Sequence, residues 1–532
     1  MNHFAKVGRQ YPAGAMRAQG YGDHGASRKR KSLQMWNPLA GDANEDIHEN
    51  LETLRPRARD LYMGGALANG AIKRMRTNIV GTGMRLKPAF DSVFLKLTEG
   101  QASKLRGQIE REFKLWAESK NCDAMGLHDL YELQQLAFIS QMMSGDVFAL
   151  LPLLPRDHAV YDLRIRLLEA DRCSTPYDVA PSMKDRISHG VEVDADGMVV
   201  AYHFSDKHPG SGFMGTDVTQ KWRRVEAIGK KSGRRNVLHL MEAERPEQRR
   251  GVPILAPVIE SLKQLERYTD AELMAAVISG MFTVFIETEN TAGADAFGLA
   301  AAPVDNPYGE PLPDSVGNDL QLGNGAVQFL EPGEKANIAN PGRPNPAFDP
   351  FITAILRQIG SALEVPYELL VMHFTSSYSA SRGALLEAWK MFRMRRAWLA
   401  SDFLQPIYEE WFAEAVIKGR IDAPGLFDDP LIFQAYTKAE WHGPSQGQLD
   451  PVKEVNAAVT RIQNNLSTAE RETAELTGGD WEQNVQRRAY EQKRLRELGI
   501  TEGEGGEQTN GQDNDDEDDT DMERKESEQQ HS

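Results

Sequence analysis

The chain has 532 residues, enough for two or three ordinary domains, and at 40% hydrophobic residues some of it is expected to stay unpacked. Its net charge of −17 is uneven: residues 1–36 hold seven Lys/Arg against one Asp, and residues 501–532 hold thirteen Asp/Glu against two Lys/Arg. The acidic body argues against tight sequence-specific DNA binding, which uses a basic surface, but not against a protein that lets DNA pass without adhering.

Residues 1–36, with "SRKRK" at 27–31, read as a disordered basic arm, either a solvated tail or a nucleic-acid contact. From 45 to 80 the pattern is helical, with Leu51, Leu54, Ala58, Leu61 and Tyr62 at spacings of three and four. "IVGTGMRLKP" turns into a strand, and 102–118 and 128–144 are amphipathic helices, the first striped by Ile109, Phe113 and Trp116. Residues 146–205 are β-rich. "VEVDADGMVVAYHF" predicts a hairpin around Asp196-Gly197 with a type I′ turn. "RGVPILAPVIESLKQLERYTDAELMAAVISG" predicts a helix from Pro253 to about residue 279, roughly 40 Å long at 1.5 Å per residue.

Nine of the chain's 27 prolines fall between Pro303 and Pro350, which excludes a long helix there. Short strands at 282–287 and 326–330 are expected instead. Helix resumes at Asp349-Pro350 as N-cap and first turn, carries Ile352, Ile355, Leu356, Ile359 and Leu363, and stops at Val365-Pro366. "MHFTSSYSASRGALLEAWK" then breaks from a polar run into a helix from about Ser381 to Lys418, kinked at Pro406. Leu385, Trp389, Phe392, Leu399, Phe403 and Ile407 share one side, beside a basic stripe of Arg382, Lys390, Arg393 and Arg396. Asp450-Pro451 starts a further helix, "STAE" at 467–470 is a capping box for the next, and Trp481 to Leu498 forms the last, stopped by Gly499. From 501 the chain is acidic, of low complexity and expected to be disordered.

Enzyme signatures fail one by one. "GKKS" at 229–232 lacks the upstream glycine of a P-loop, and "GTGMRL" lacks the third glycine of a dinucleotide fingerprint. The twelve histidines form no HExxH, so no metal or other cofactor is expected. Gly443-Pro444-Ser445-Gln446-Gly447 fits G-x-S-x-G, but a nucleophile elbow needs a helix directly after the serine, and "QLDP" delays it. Cys122 and Cys173 lie far apart and read as reduced thiols. No run of 18 apolar residues marks a membrane helix, and the N-terminus lacks a signal peptide's apolar region, so no membrane role is expected.

Four separate stretches resemble, in order, the lambda-like branch of the portal proteins of tailed phages. They are "NIVGTGMRLKP", "HLMEAERPEQRRGVPILAPVIESLKQLERYTDAELMAA", "LEVPYELLVMHFTSSYSASRGALLEAWKMFRMRR" and "WHGPSQGQLDPVKEVNAAVTRIQNNLST". The resemblance runs from about residue 36 to 500. It implies a mainly helical α+β portal fold and no enzyme activity. The resemblance further implies that copies assemble as a dodecameric ring in the virion, at one capsid vertex, after synthesis in the host cytoplasm. On the same resemblance, double-stranded DNA would pass through the channel without sequence preference during packaging and ejection. The implied partners are the terminase large subunit, the major capsid and scaffold proteins, and the head-tail completion proteins.

On that resemblance the chain divides into a basic flexible arm (1–36), a wing (37–250), a first stem helix (251–280), a clip (281–347) and a second stem helix (348–364). A tunnel loop with a long kinked helix (365–420), a wing return with a helical crown (421–500) and the acidic tail (501–532) follow. The tunnel loop would place His373, Thr375, Ser376, Ser377, Tyr378 and Ser379 toward DNA, as polar side chains with little grip. Arg382, Lys390, Arg393 and Arg396 would sit behind it, pairing with a neighbouring subunit's acids or facing the DNA. Two other readings remain: a serine hydrolase using Ser445, and a monomeric DNA-binding protein using the basic arm.

Overall fold

The computed structural model describes residues 25–180, 183, 186–212, 220–280, 284–288, 334–338, 347–374, 378–447 and 450–498. The chain forms two compact units, Met1–Pro444 and Ser445–Ser532. Most of the arm, most of the Pro-rich stretch, and the acidic tail with Gly499 lie outside the described residues.

In the first unit α1 (Ala43–Gly64) begins at Asp42, whose carboxylate accepts from the amides of Asn44 and Glu45. The helical run expected over 45–80 breaks at Gly65, whose extended backbone separates α1 from α2 (Ala66–Ile79). Strand β1 (Arg85–Pro88) follows. Thr98 and Gln101 close a capping box on α3 (Glu99–Ala117), and Asp129 and Glu132 close another on α4 (Leu130–Ser144). The α3 stripe is buried as expected: Ile109, Phe113 and Trp116 enter the main core.

The β-rich region forms two antiparallel sheets. One is ordered β3-β2-β8, from β2 (Asp146–Leu150), β3 (Arg166–Glu169) and β8 (Val237–Met241). The other is ordered β4-β5-β6-β7, from β4 (Ile187–Ser188), β5 (Val191–Val193), β6 (Val199–Ser205) and β7 (Trp222–Glu226). The β5–β6 hairpin is present, but its turn is not type I′. Asp194 faces Met198 across a loop of Ala195, Asp196 and Gly197, and of these only Gly197 has positive φ, at +87°. A type I′ turn needs positive φ at both central residues. A small satellite core of Phe148, Tyr202, Phe204 and Val237 fills the space between the sheets.

Helix α5 (Ile259–Gly280) has 22 residues and starts later than Pro253 suggests. Residues 253–258 make tight turns instead, with Ala256 N donating to Pro253 O at 2.9 Å. Pro257 disfavours the α conformation at the residue before it, which delays the helix. The stretch after α5 carries β9 (Val284–Thr288) and β10 (Glu334–Ile338), paired antiparallel. The second strand thus lies at 334–338, whereas the expected 326–330 is outside the described residues. Helix α6 (Phe348–Ala362) begins after Ala347, so Asp349 is not its N-cap. Asp349 lies inside the first turn, where a carboxylate still favours the positive end of the helix.

A short helix α7 (Tyr367–Val371), which the sequence pattern did not show, precedes α8 (Tyr378–Leu399). Helix α8 starts at Tyr378 rather than at Ser381. Before Pro406 the turn widens into a π segment, Ala400–Leu404, and α9 (Gln405–Ile417) continues. The proline has no N–H to give, and the wider turn absorbs that loss. Most of the apolar stripe holds: Trp389, Phe392, Leu399, Phe403 and Ile407 are buried, while Leu385 is half-buried. Tyr408 and Trp411 meet α3 in an aromatic cluster, with Phe113 edge-on to Trp411 at 5.0 Å. Helix α10 (Pro430–Thr437) leads into β11 (Ala439–His442), which pairs with β1 and brings His442 back beside Arg85.

The second unit holds α11 (Pro451–Gln463), α12 (Ala469–Thr477) and α13 (Trp481–Glu497). Asp450 caps α11 as expected. The cap of α12 is Thr468, bonded to Arg471 N, so "STAE" is not its capping box. Arg461 clamps Glu472 with two bonds of 2.9 and 2.7 Å, tying α11 to α12.

Candidate functional site

The polar run that opens α8 is approached through two helix ends of the same kind. Helix α6 finishes with Glu364 at φ +57°, and α7 with Met372 at φ +57°. Non-glycine residues rarely adopt this conformation, so the surrounding contacts hold it. At the first end Val365 N donates to Gly360 O at 2.9 Å, and at the second His373 N donates to Glu368 O at 3.1 Å. Leu370 is fully buried, and the Arg74 guanidinium from α2 donates to its carbonyl at 2.6 Å. The base of the loop is therefore anchored while the chain beyond it turns outward: Met372, His373 and Phe374 are exposed. Thr375, Ser376 and Ser377 lie outside the described residues, and Tyr378 and Ser379 open the first turn of α8.

The four basic residues predicted behind this loop do not act as one group. Arg382, Lys390 and Arg393 are exposed, and Lys390 pairs with Glu387 of its own helix at 2.6 Å. Arg396 turns inward. It donates to the carbonyls of Asn78 and Ile79, at 2.9 and 3.1 Å, and lies over the Trp389 ring. It thus neutralises the negative end of α2. Burial, helped by the neighbouring charge of Arg393, lowers its pKa to about 10.

Arg395 was not among the sequence candidates. It is buried on the apolar face of α8, with Glu242 at 3.4 Å, Glu364 at 3.3 Å and the Met142 sulfur at 3.3 Å. The signal was available: Arg395 is three residues after Phe392 and four before Leu399, so it falls inside the apolar stripe. An arginine there requires a carboxylate partner. Burial raises the pKa of Glu242, and Arg395 opposes that shift.

A second missed cluster centres on Asp146, at the junction of α4 and β2. Its carboxylate receives Arg250 Nε at 2.6 Å, Arg55 at 3.0 Å, His239 Nε2 at 3.2 Å and Gly251 N at 3.2 Å. Arg250 also donates to the carbonyls of Ala170, Cys173 and His189. Burial alone would raise the Asp146 pKa, but Arg250 and Arg55 outweigh it and hold the carboxyl well below the usual range. Nearby, burial pushes His48 down to about 3 and His189 down to about 4, with the arginines adding to the effect. Arg59 pairs with Asp171 from the next turn of α1. Gly145 and Gly251 meet so closely that a side chain on either would strike the other's backbone. The cluster binds α1, both sheets and the approach to α5 into one body, and its carboxylate is fully occupied by donors.

The remaining chemical candidates do not assemble. Ser445 lies in irregular chain, and the next helix starts only at Pro451, so no nucleophile elbow forms. "GKKS" sits in the turn between β7 and β8, not between a strand and a helix. Both cysteines are buried with thiol pKa values raised to about 12, which leaves them protonated. Among the described residues no group of three or more His, Cys, Asp or Glu is placed to hold a metal ion.

A family model described as "Phage portal protein, lambda family" matches residues 29–396. Portal protein B of Escherichia phage lambda is 26% identical over 482 residues, covering 88% of this chain and 88% of that protein. The portal protein of Escherichia phage N15 is 25% identical, covering 88% and 89%. A probable portal protein of Halomonas phage phiHAP-1 is 26% identical, covering 80% and 77%. Among solved structures, the neck of an empty gene transfer agent particle aligns with a TM-score of 0.43 at 13% identity, covering 83% of this chain and 96% of that one.

Proposed function

The chain belongs to the lambda family of phage portal proteins, and on that footing we propose that it works as a dodecameric ring through which DNA is packaged and ejected. It is a phage portal protein, a component of the virion at a capsid vertex. The observation that carries the reading is the reach of the similarity: the lambda portal protein aligns over 88% of both chains. In this reading ATP hydrolysis belongs to the terminase large subunit that docks on the ring, and the chain itself carries no catalytic residue.

Helices α5 and α6 serve as the stem. Their pairing supports this, with Tyr268 stacked on Phe348 at 5.6 Å and edge-on to Phe351 at 5.3 Å. The β9–β10 pair belongs to the clip inserted between them, which offers the terminase and the head-tail completion proteins their surface. Residues 373–380 serve as the tunnel loop, held by the pinned ends of α6 and α7. Its side chains offer neutral hydrogen bonds, worth about 0.5–1.5 kcal/mol net each, rather than phosphate-gripping charge. Of the basic stripe, Arg396 is committed to the end of α2, and the exposed Arg382, Lys390 and Arg393 are the ones that would face a neighbouring subunit's acids.

Electron microscopy of the purified full-length protein tests the reading. Rings with a central hole are expected; compact monomers at assembly concentrations would overturn it.

A further inference from the structure

The strap that leads into α1 carries large apolar side chains that its own chain does not cover. Met35 is 93% exposed, Trp36 69% and Leu39 96%. The strap has local order: Leu33 N donates to Arg30 O at 3.0 Å, Trp36 N to Leu33 O at 3.1 Å, and Asn37 Nδ2 to Gln34 O at 2.8 Å. Its root is fixed where Arg245 donates to Gly41 O at 3.2 Å. Immediately upstream, Arg28, Lys29, Arg30 and Lys31 are all exposed.

A second set of uncovered apolar side chains lies elsewhere on the same unit, with three exposed carboxylates beside it in sequence. Ala89 N donates to Lys438 O at 2.9 Å and Asp91 N to Ala435 O at 3.1 Å, so residues 89–91 run antiparallel to the end of α10. Val93 and Phe94 follow that run in a tight turn, with Leu95 N donating to Asp91 O at 3.0 Å, while Phe427 lies just before α10 and Leu431 in its first turn. All four are exposed. Asp91, Asp428 and Asp429, also exposed, flank them in sequence.

We propose that the strap of one copy, through Met35, Trp36 and Leu39, seats on the Val93–Phe94 and Phe427–Leu431 patch of a second copy, with residues 28–31 facing Asp91, Asp428 and Asp429. The match is twofold, apolar to apolar and basic to acidic, and both surfaces are open at once in a single chain. A rotationally symmetric ring joins its subunits through two different surfaces, and this pair supplies them. The inference rests on the ring reading and assigns its interface.

The test uses the full chain carrying Trp36→Cys and Leu431→Cys under mild oxidation. Cys122 and Cys173 are buried and do not compete. A ladder of covalent oligomers on a non-reducing denaturing gel is expected from the double variant, with neither single variant giving one. A disulfide closed within one chain, seen as a faster-running monomer, would overturn the second copy as occupant. Intact rings without any cross-link would overturn the docking and leave the ring standing. Absence of rings from the unmodified protein would overturn both. As a check that needs no cysteine, Asp428→Lys should raise the concentration for half-assembly about tenfold. Lys29→Glu with Arg30→Glu in the same chain should restore it, and failure of that rescue counts against the charge pairing.

Discussion

Cutting Asp146 back to alanine would strand Arg55 and Arg250 in a buried site with their charges uncompensated. Removing one partner of such a pair costs about 3–5 kcal/mol, and we expect a loss of that order in urea unfolding of Asp146→Ala. Asp146→Asn keeps the shape and loses less. The histidines beside it set a pH dependence. His48 and His189 titrate near 3 and 4 in the folded chain, against about 6.5 when unfolded. Below pH 6.5 the unfolded chain therefore binds protons that the folded chain refuses, and stability falls as pH drops from 6.5 toward 3. Above 6.5 these two groups contribute no slope. His48→Gln should flatten the decline in a pH series of urea unfolding; an unchanged slope would show that His48 is not its source.

Within the α7–α8 element, a loop that lets DNA slide must avoid phosphate neutralisation, because each added Lys contributes a salt-dependent affinity term. Ser376→Lys with Ser377→Lys should therefore permit ring assembly yet slow or stall DNA passage, easing as salt rises. Single-molecule packaging across a salt series measures this, and unchanged velocity and retention at low salt would mean that the loop does not face the channel. Much of the element was legible beforehand. Trp389, Phe392, Leu399, Phe403 and Ile407 repeat at helical spacing and are buried. The inward turn of Arg396 was not legible, because its partners are carbonyls at the end of α2, which no local pattern encodes. Nor was α7, whose five residues are too few to show a period.

For the molecule as a whole, deletion of residues 501–532 should leave ring formation intact, since a segment with thirteen acids and two bases cannot bury a core. Loss of rings on truncation, seen by electron microscopy, would contradict this. Deleting residues 288–325 should abolish terminase stimulation while leaving the Met1–Pro444 unit folded, because the described core residues come from α1–α10 and the two sheets, on either side of the deletion. A deleted protein that still supports packaging would refute the assignment of the clip.

The amino-acid sequence by itself determined the helical periods, α3 and α4 as amphipathic helices though not their capping boxes, the hairpin at 191–205, the Pro-rich break between two helices, and the family resemblance. These are local or linear signals: a spacing of three and four, an alternation, a proline without its N–H. Tertiary structure alone decided that β11 returns to pair with β1, that Arg396 leaves the basic stripe for the end of α2, that Arg395 meets Glu242 and Glu364, and that Asp146 gathers Arg55, His239 and Arg250 from distant parts of the chain. A buried charge is stable only beside its counter-charge, and which residues meet there is fixed by packing rather than by spacing along the chain.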